Sequence, residues 1–353
     1  MAITTDERLT AAYDYDLPEE LIAQHPAAQR DASRLLVLEG EAMQHRRFSD
    51  LPALLKSGDL LVLNETRVIR ARLLGRRAGG GRAELLLLHP AGSMRYDPSA
   101  LRWIALTRPA RRLRCGDRIS FAEFGDAVVV AELDEGLREV ELLLRVPFEA
   151  FLESAGRMPL PPYIHNELPD AQQRYQTVFA SAPGSVAAPT ASLHFTPELL
   201  ERLEESGVEI ARLSLDVGLG TFRPVHAESV TEHVMHAEAY AIPAPAASAI
   251  ERARSAGRRI VAAGTTVVRA LEGNLSAFGH IEAGDHQTSC FITPGFTFGV
   301  VGAMITNFHL PRSTLLMMVS AFAGRERILY AYAEAIAHGY RFYSFGDAML
   351  IVR

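Results

Sequence analysis

Five short stretches hold the residues whose types and spacing could do chemistry. "AAGTTVVRALE" sets Thr265 and Thr266 directly after Gly264, where an apolar strand pattern gives way to a helical one. The first turn of a helix leaves backbone N–H groups unpaired, so this junction suits a carboxylate or phosphate; an ordinary threonine N-cap uses the same residues. "LDVGLGTFRPV" places Gly218 and Gly220 after a strand, with Asp216 and Arg223 as their polar neighbours. A dinucleotide fingerprint needs a third glycine and an immediate helix, so the loop reads either as close backbone approach to a ligand or as a tight turn. "HVMHAEAYAIP" carries His233, His236 and Glu238. On a strand, His236, Glu238 and Tyr240 share one face and His233 takes the other. No cysteine or further acid completes a converging ligand set, so no metal is expected. The chemical reading is a His236–Glu238 pair for proton transfer, set against a solvated polar strand face.

"MITNFHLPRSTLL" leaves an apolar strand and presents Asn307 and His309 at its end, where a pocket belongs, or where Asn307 and Ser313 simply cap the next helix. "YQTVFASAPGSVAAPTASLHF", from Tyr175 to Phe195, is dominated by small residues, broken by two prolines, and closed by His194. It is either a slack linker or a pocket wall made of backbone.

These junctions need elements to position them. "TPELLERLEESG" has Thr196 as N-cap, Pro197 at the first helical position and Gly207 as its stop. The strand "VEIARLSLDV" follows, then "PAASAIERARSAG" as helix, "RRIVAAG" as strand, "TTVVRALEGNL" as helix, "GVVGAMIT" as strand and "RSTLLMMVSAFAG" as helix. This alternation predicts an α/β fold with a mixed, largely parallel sheet and flanking helices. "GDLLVLNET" near the N-terminus adds a strand. Between them, "RVIRARLLG", "AELLLLHP", "RWIALTRPA", "DRISFA", "AVVVAEL" and "REVELLLRV" are short alternating or apolar runs separated by turns, the pattern of a small β-barrel or sandwich. The predicted organisation is residues 1–68 and 148–353 as two segments of one α/β domain, with residues 69–147 as an inserted barrel.

Charge follows the same division. From Arg67 to Arg118 there are thirteen arginines against three acids, a local balance of +10 in a chain of net charge −6. A basic block in an acidic protein marks where a polyanion docks, because neutralised phosphates release counterions; the alternative is a solvated arginine face. Lys56 is the only lysine of the 353 residues, which removes the Walker A loop. Cys115 and Cys290 are too few for a disulfide framework or a cysteine-based zinc site. No secretory pattern opens the chain, and the longest apolar region, 298–324, is interrupted by Asn307, His309, Pro311 and Arg312. A cytoplasmic protein with no membrane association and no stable protein partner, a monomer, is expected.

Taken in order, "YDYDLPEELIAQHP", "GDLLVLNETRVIRARLLG", "MPLPPYI", "RYQTVFASAPGSVAAPTASLHF", "DVGLGTFRPV", "HVMHAE", "GTTVVRALE", "ITNFHLPRSTLLMMVSAFAG" and "YRFYSFGDAM" resemble the S-adenosylmethionine:tRNA ribosyltransferase-isomerase family of queuosine biosynthesis, from about Tyr13 to Met349. The resemblance implies a β-barrel inserted in an α/β domain, S-adenosylmethionine as co-substrate, and as partner a tRNA carrying 7-aminomethyl-7-deazaguanine at the wobble position. It also implies transfer and rearrangement of the ribosyl group to give epoxyqueuosine, with adenine and methionine released. A member using the same donor on another acceptor, or a non-catalytic RNA-binding protein, are the alternatives.

On that resemblance His194 or His236 is the base, with Glu238 orienting His236, while Asn307 and His309 hydrogen-bond the departing adenine. Gly264, Thr265 and Thr266 receive the methionine carboxylate, Arg223 and Arg269 hold a carboxylate or phosphate, and Gly184, Ser185, Thr190, Gly218 and Gly220 close backbone over the donor. The chain departs from the family pattern at Asp216, where histidine is usual, at Glu65, Ser192 and Thr293-Pro294, and at His165-Asn166, which replaces a basic residue.

Overall fold

The structure, a computed structural model, describes residues 6–165, 169–218, 225 and 227–353. The chain starts with β1 (Arg34–Glu39) and its hairpin partner β2 (Ala42–Arg47), a short α1 (Leu51–Leu54), β3 (Leu60–Asn64) and β4 (Thr66–Val68). It then runs through β5 (Arg72–Arg77), β6 (Arg82–Pro90), β7 (Arg102–Arg108), β8 (Arg118–Ser120), β9 (Gly125–Glu132) and β10 (Leu137–Leu144). After α2 (Phe148–Ala155) come β11 (Gly156–Arg157), α3 (Pro169–Arg174), β12 (Ala182–Ser185), α4 (Pro197–Glu205) and β13 (Glu209–Leu215). The last part holds β14 (Glu238–Ile242), α5 (Ala244–Ser255), β15 (Ile260–Ala263), α6 (Thr265–Phe278), β16 (Gly284–Thr288), β17 (Ala303–Asn307), α7 (Thr314–Ala323), α8 (Arg325–Ala337) and β18 (Ala348–Val352).

The large sheet has the order β16-β14-β13-β3-β15-β17-β18-β1-β2. Its centre, β13-β3-β15-β17, is parallel, as the alternation predicts. The flanks are not: β18 runs antiparallel to β17 while pairing in parallel with β1, and β14 and β16 add antiparallel on the other side. The sheet is therefore mixed, with its parallel part confined to the middle. "LLVL" in β3 is a continuous apolar run because both faces of a central strand are covered. Along β1, Leu36 and Leu38 face one core with α5 to α8, while Leu35 and Val37 face the other with α1 and α4. Local signals set the helix starts: Thr196 Oγ1 accepts from the Leu199 amide at 3.1 Å, and Ser313 Oγ from the Leu316 amide at 3.2 Å.

Strands β5 to β10 form an antiparallel barrel, closed where β5 meets β8 through the pairs Arg76↔Ser120 and Arg77↔Ile119. Gly75 permits that closure: a Cβ there would lie 2.6 Å from Ile119 and 2.8 Å from the Ser120 carbonyl. The interior is apolar and centred on Trp103, which stacks on Phe148 of α2 at 5.0 Å. β4 and β12 pair in parallel as a separate two-stranded sheet, and Arg95, from the loop between β6 and β7 of the barrel, reaches Asp216 at 3.9 Å and Asp285 at 3.3 Å.

Candidate functional site

The carboxyl ends of β15 and β17 lie side by side, the position where open α/β sheets bind ligands. A buried cavity of about 20 Å³ sits there, lined by Thr190 and Ala191 from one side, Gly264, Thr265 and Thr266 from the start of α6, and Thr306 and His309 beyond β17. Gly264 takes φ +105°, a left-handed value that lets the strand turn sharply into the helix. Thr266 Oγ1 is buried and has no hydrogen-bond partner among the described residues, a donor and acceptor left facing the space at a helix N-terminus. His309 Nε2 lies 2.7 Å from Thr306 Oγ1, its backbone N–H donates to the Tyr332 hydroxyl, and its carbonyl accepts from Tyr15. Burial drives its imidazole down to about 3, so the ring is neutral.

The small-residue stretch is neither slack nor a linker. β12 anchors its start, and Ser185 Oγ, fully buried, accepts from the Val217 amide at 2.9 Å and donates to the Ala187 carbonyl at 2.6 Å. Its end is the 3-10 turn Thr190–His194. Residues 186–191 form a wall: Ala188 to Ala191 face the cavity at the sheet edge, while Val186 and Ala187 face a second chamber of about 430 Å³ on the barrel side. That chamber is closed by Pro159, Leu160, Pro161, Pro162 and His165, and opens past Arg72, Glu84 and Arg108. The same three residues line an open cleft of about 1170 Å³ along the barrel, with Arg76, Arg82 and Arg157.

Other expected site residues are placed differently. His194 lies behind the wall, with Nδ1 2.7 Å from Ser33 Oγ, Nε2 3.3 Å from Asn307 Oδ1, and its ring on Phe48. Burial lowers it to about 4 despite the opposing charge of Asp347. Asn307 is engaged by this contact and by donating to the Tyr343 carbonyl at 2.8 Å. His236 is exposed and precedes β14, because Ser229 starts the 3-10 turn Val230–Glu232 and the strand begins only at Glu238. Glu238 is buried, pairs with Arg269 and accepts from the Gly218 amide at 3.2 Å. Arg269, expected to face a ligand, is 1% exposed and also donates to the Cys290 carbonyl. An unpaired buried charge is costly, and these two residues solve that problem for each other. Gly220 and Arg223 lie outside the described residues, as does Asn166.

Asp216 reads from the sequence both as a polar neighbour of the glycine loop and as a departure from the family pattern. Its carboxylate accepts from Thr66 Oγ1 at 3.0 Å and sits 2.9 Å from where a Cβ on Gly184 would stand, with φ +149° at that glycine. Burial raises it to about 6, with Arg95 and the Thr66 hydroxyl opposing the shift. The signal for it was the unusual acid itself, between an apolar strand and a glycine.

A family model described as "Queuosine biosynthesis protein" matches residues 10–351. The chain belongs to that family. It is 54% identical to the S-adenosylmethionine:tRNA ribosyltransferase-isomerase of Gloeobacter violaceus, over 98% of this chain and 97% of that protein. To the same-named protein of Moorella thermoacetica it is 55% identical, over 96% of this chain and 98% of that one. The crystal structure of the S-adenosylmethionine tRNA ribosyltransferase of Thermotoga maritima is similar with a TM-score of 0.54 and 36% identity, covering 97% of this chain and 100% of that one. As a member of the queuosine family the chain is an enzyme, a tRNA ribosyltransferase-isomerase, which sets aside a purely RNA-binding role. Among the described residues of this family member, no helix is long and apolar enough to cross a membrane. In this chain, Pro159 to Pro162 and Ile164 of the Pro-rich "MPLPPYI" form one side of the chamber.

Proposed function

We propose that the chain transfers and isomerises the ribosyl group of S-adenosylmethionine onto 7-aminomethyl-7-deazaguanine at the wobble position of a cytoplasmic tRNA, releasing adenine and methionine and giving epoxyqueuosine. The names of its relatives supply the donor and the acceptor class. The observation that carries the reading is that the arginine-lined cleft and the chamber share Arg72, Glu84 and Arg108. Phosphates held along the cleft bring a flipped base to the chamber mouth, and about 430 Å³ is of the size that small-molecule sites have.

The donor lies across the wall. Its carboxylate takes the N-terminus of α6 with the free Thr266 hydroxyl, and neutral His309 is a hydrogen-bond partner for adenine. The cavity at the sheet edge has room for about one water, so residues 186–191 move outward when the donor enters. The sulfonium acidifies the ribosyl C5′–H. A base removes that proton, the glycosidic electron pair leaves with adenine as the tRNA amine bonds to C1′, the C5′ carbanion closes the carbocycle, and the freed ring oxygen displaces sulfur to form the epoxide, the C5′–S pair leaving with methionine. Asp216 suits the base role better than His194 or His236, because a carboxylate near 6 is ionised at neutral pH and still basic, whereas His194 is enclosed with Asn307. It also titrates close to the ordinary range of the histidine that the family pattern places there. Mass spectrometry of precursor tRNA incubated with ribose-labelled S-adenosylmethionine tests the reading. Label in the wobble nucleoside is the expected result; adenine release without label in tRNA would direct the donor to another acceptor.

A further inference from the structure

Far from the chamber, the edge strand β2 passes the C-terminal end of α8, and there His45, Glu334 and His338 bring their ligand atoms within 4.8 Å of one another. Glu334 and His338 stand four residues apart on one helix face. His45 Nε2 lies 3.4 Å and His338 Nδ1 3.2 Å from the same carboxylate oxygen of Glu334. Those separations are the edges of a coordination tetrahedron: metal–ligand bonds of about 2.0–2.1 Å put neighbouring ligands roughly 3.3 Å apart. The two imidazoles lean together with centroids 4.6 Å apart, an arrangement that would repel if both were protonated. Tyr340 completes the set. Its hydroxyl is 2.8 Å from His45 Nδ1, which fixes that ring and leaves Nε2 turned to the carboxylate, the outer-shell contact that metal-binding histidines use. The nearby cation, Arg34, is held by Asp347 and by the His338 and Gly339 carbonyls.

We propose that His45, Glu334 and His338 form a surface site for a divalent ion of the zinc class, bound by two imidazoles and one carboxylate with a remaining position open to water. The ion replaces the proton that His338 Nδ1 now directs at the Glu334 carbonyl, 3.0 Å away, so binding releases protons and weakens in acid. Its effect is to fasten α8 to the exposed edge of the large sheet. It plays no part in the transfer reaction, and the proposal stands independently of the substrate assignment. With three ligands that are not fully buried rather than four enclosed ones, affinity is lower than that of a structural zinc site.

The test is a titration of the chelator-treated full-length protein with Co(II), read by visible ligand-field absorption, and with Zn(II), read by calorimetry and by thermal unfolding. One equivalent is expected, with a four-coordinate cobalt spectrum and a rise in Tm on adding zinc. His45→Ala and His338→Ala should each weaken binding at least tenfold and abolish the zinc-dependent rise in Tm, measured against the metal-free Tm of the same variant. His280→Ala, which removes the exposed histidine 2.6 Å from Glu282, should change nothing. Equal binding by wild type and His45→Ala, or no saturable binding at all, overturns the proposal.

Discussion

The two spaces on either side of residues 186–191 are built from one wall but on opposite principles. The cavity at the sheet edge is small, buried and lined by hydroxyls and a neutral imidazole, with the start of a long helix at its floor. The barrel-side chamber is some twenty times larger, walled by prolines and rimmed by arginines that continue into an open cleft. Charge that only has to grip a polyanion stays in water, where it is cheap and salt-sensitive. The groups proposed to meet the sulfonium donor are kept dry, where each dipole counts for more. If the proposed roles hold, affinity for RNA and chemistry on the donor are carried by different residues, and substitutions should separate them.

The largest expected effect is on the chemical side. Asp216→Asn should lower turnover at least about 100-fold with tRNA affinity unchanged, since a positioned base contributes that much or more. In the wild type, turnover should rise with pH through about 6 as Asp216 ionises. A variant that retains most epoxyqueuosine formation by mass spectrometry would return the base to a histidine. His309→Ala should cost about tenfold in turnover, as loss of a hydrogen-bond partner to the leaving adenine does. His194→Ala should act mainly through stability, because the ring supports Ser33 and Asn307 from behind the wall.

On the other side of the wall, Arg76→Ala with Arg108→Ala should weaken tRNA binding while leaving turnover at saturating tRNA intact. If each arginine meets one phosphate, the slope of log K against log salt falls by about 1 per substitution. Filter binding across a salt series measures this, and an unchanged slope would assign both residues to solvent. The wall itself is tested more mildly by Gly184→Ala. The residue sits at φ +149° with Asp216 against its open side, so a methyl should cost about 1–2 kcal/mol in denaturant unfolding.

How far these regions are legible in the sequence follows from how local their causes are. The barrel strands and the start of α6 announce themselves through alternation and through Gly264 before two threonines, signals contained within a few residues. The antiparallel flanks of the large sheet do not, because β18 reaches its place between β17 and β1 only through the tertiary fold. "HVMHAE" reads as strand, yet a serine-capped turn delays the strand to Glu238 and leaves His236 in water. Arg269 reads as a ligand-binding arginine because its partner, Glu238, is 31 residues away. The chamber combines residues of β5, β6 and β7 with residues 159–165 and 186–187, and no periodicity could have joined them.

The smallest predicted effect is the one that binds the two sides together, since Asp216 is the proposed base and Arg95 reaches it from the barrel. Its carboxyl is raised to about 6 from an ordinary value of 3.8, so the stability it lends is complete below about pH 4 and is lost as pH rises through 6. His194 works in the opposite sense. Lowered to about 4, it favours the fold above pH 6.5 and withdraws that support as pH falls toward 4. Asp216→Asn keeps the His194 contribution and removes the other. The variant should therefore be more stable than wild type at pH 7.5 by about 1 kcal/mol, the relief from burying a charge being partly offset by the lost attraction to Arg95, and the difference should vanish near pH 4. An inactive variant that unfolds later than wild type at neutral pH would mark Asp216 as a charge kept buried for reaction rather than for folding. Equal stability across the range would mean that Arg95 fully compensates the burial, and the barrel would then be holding the catalytic side in place as well as the RNA.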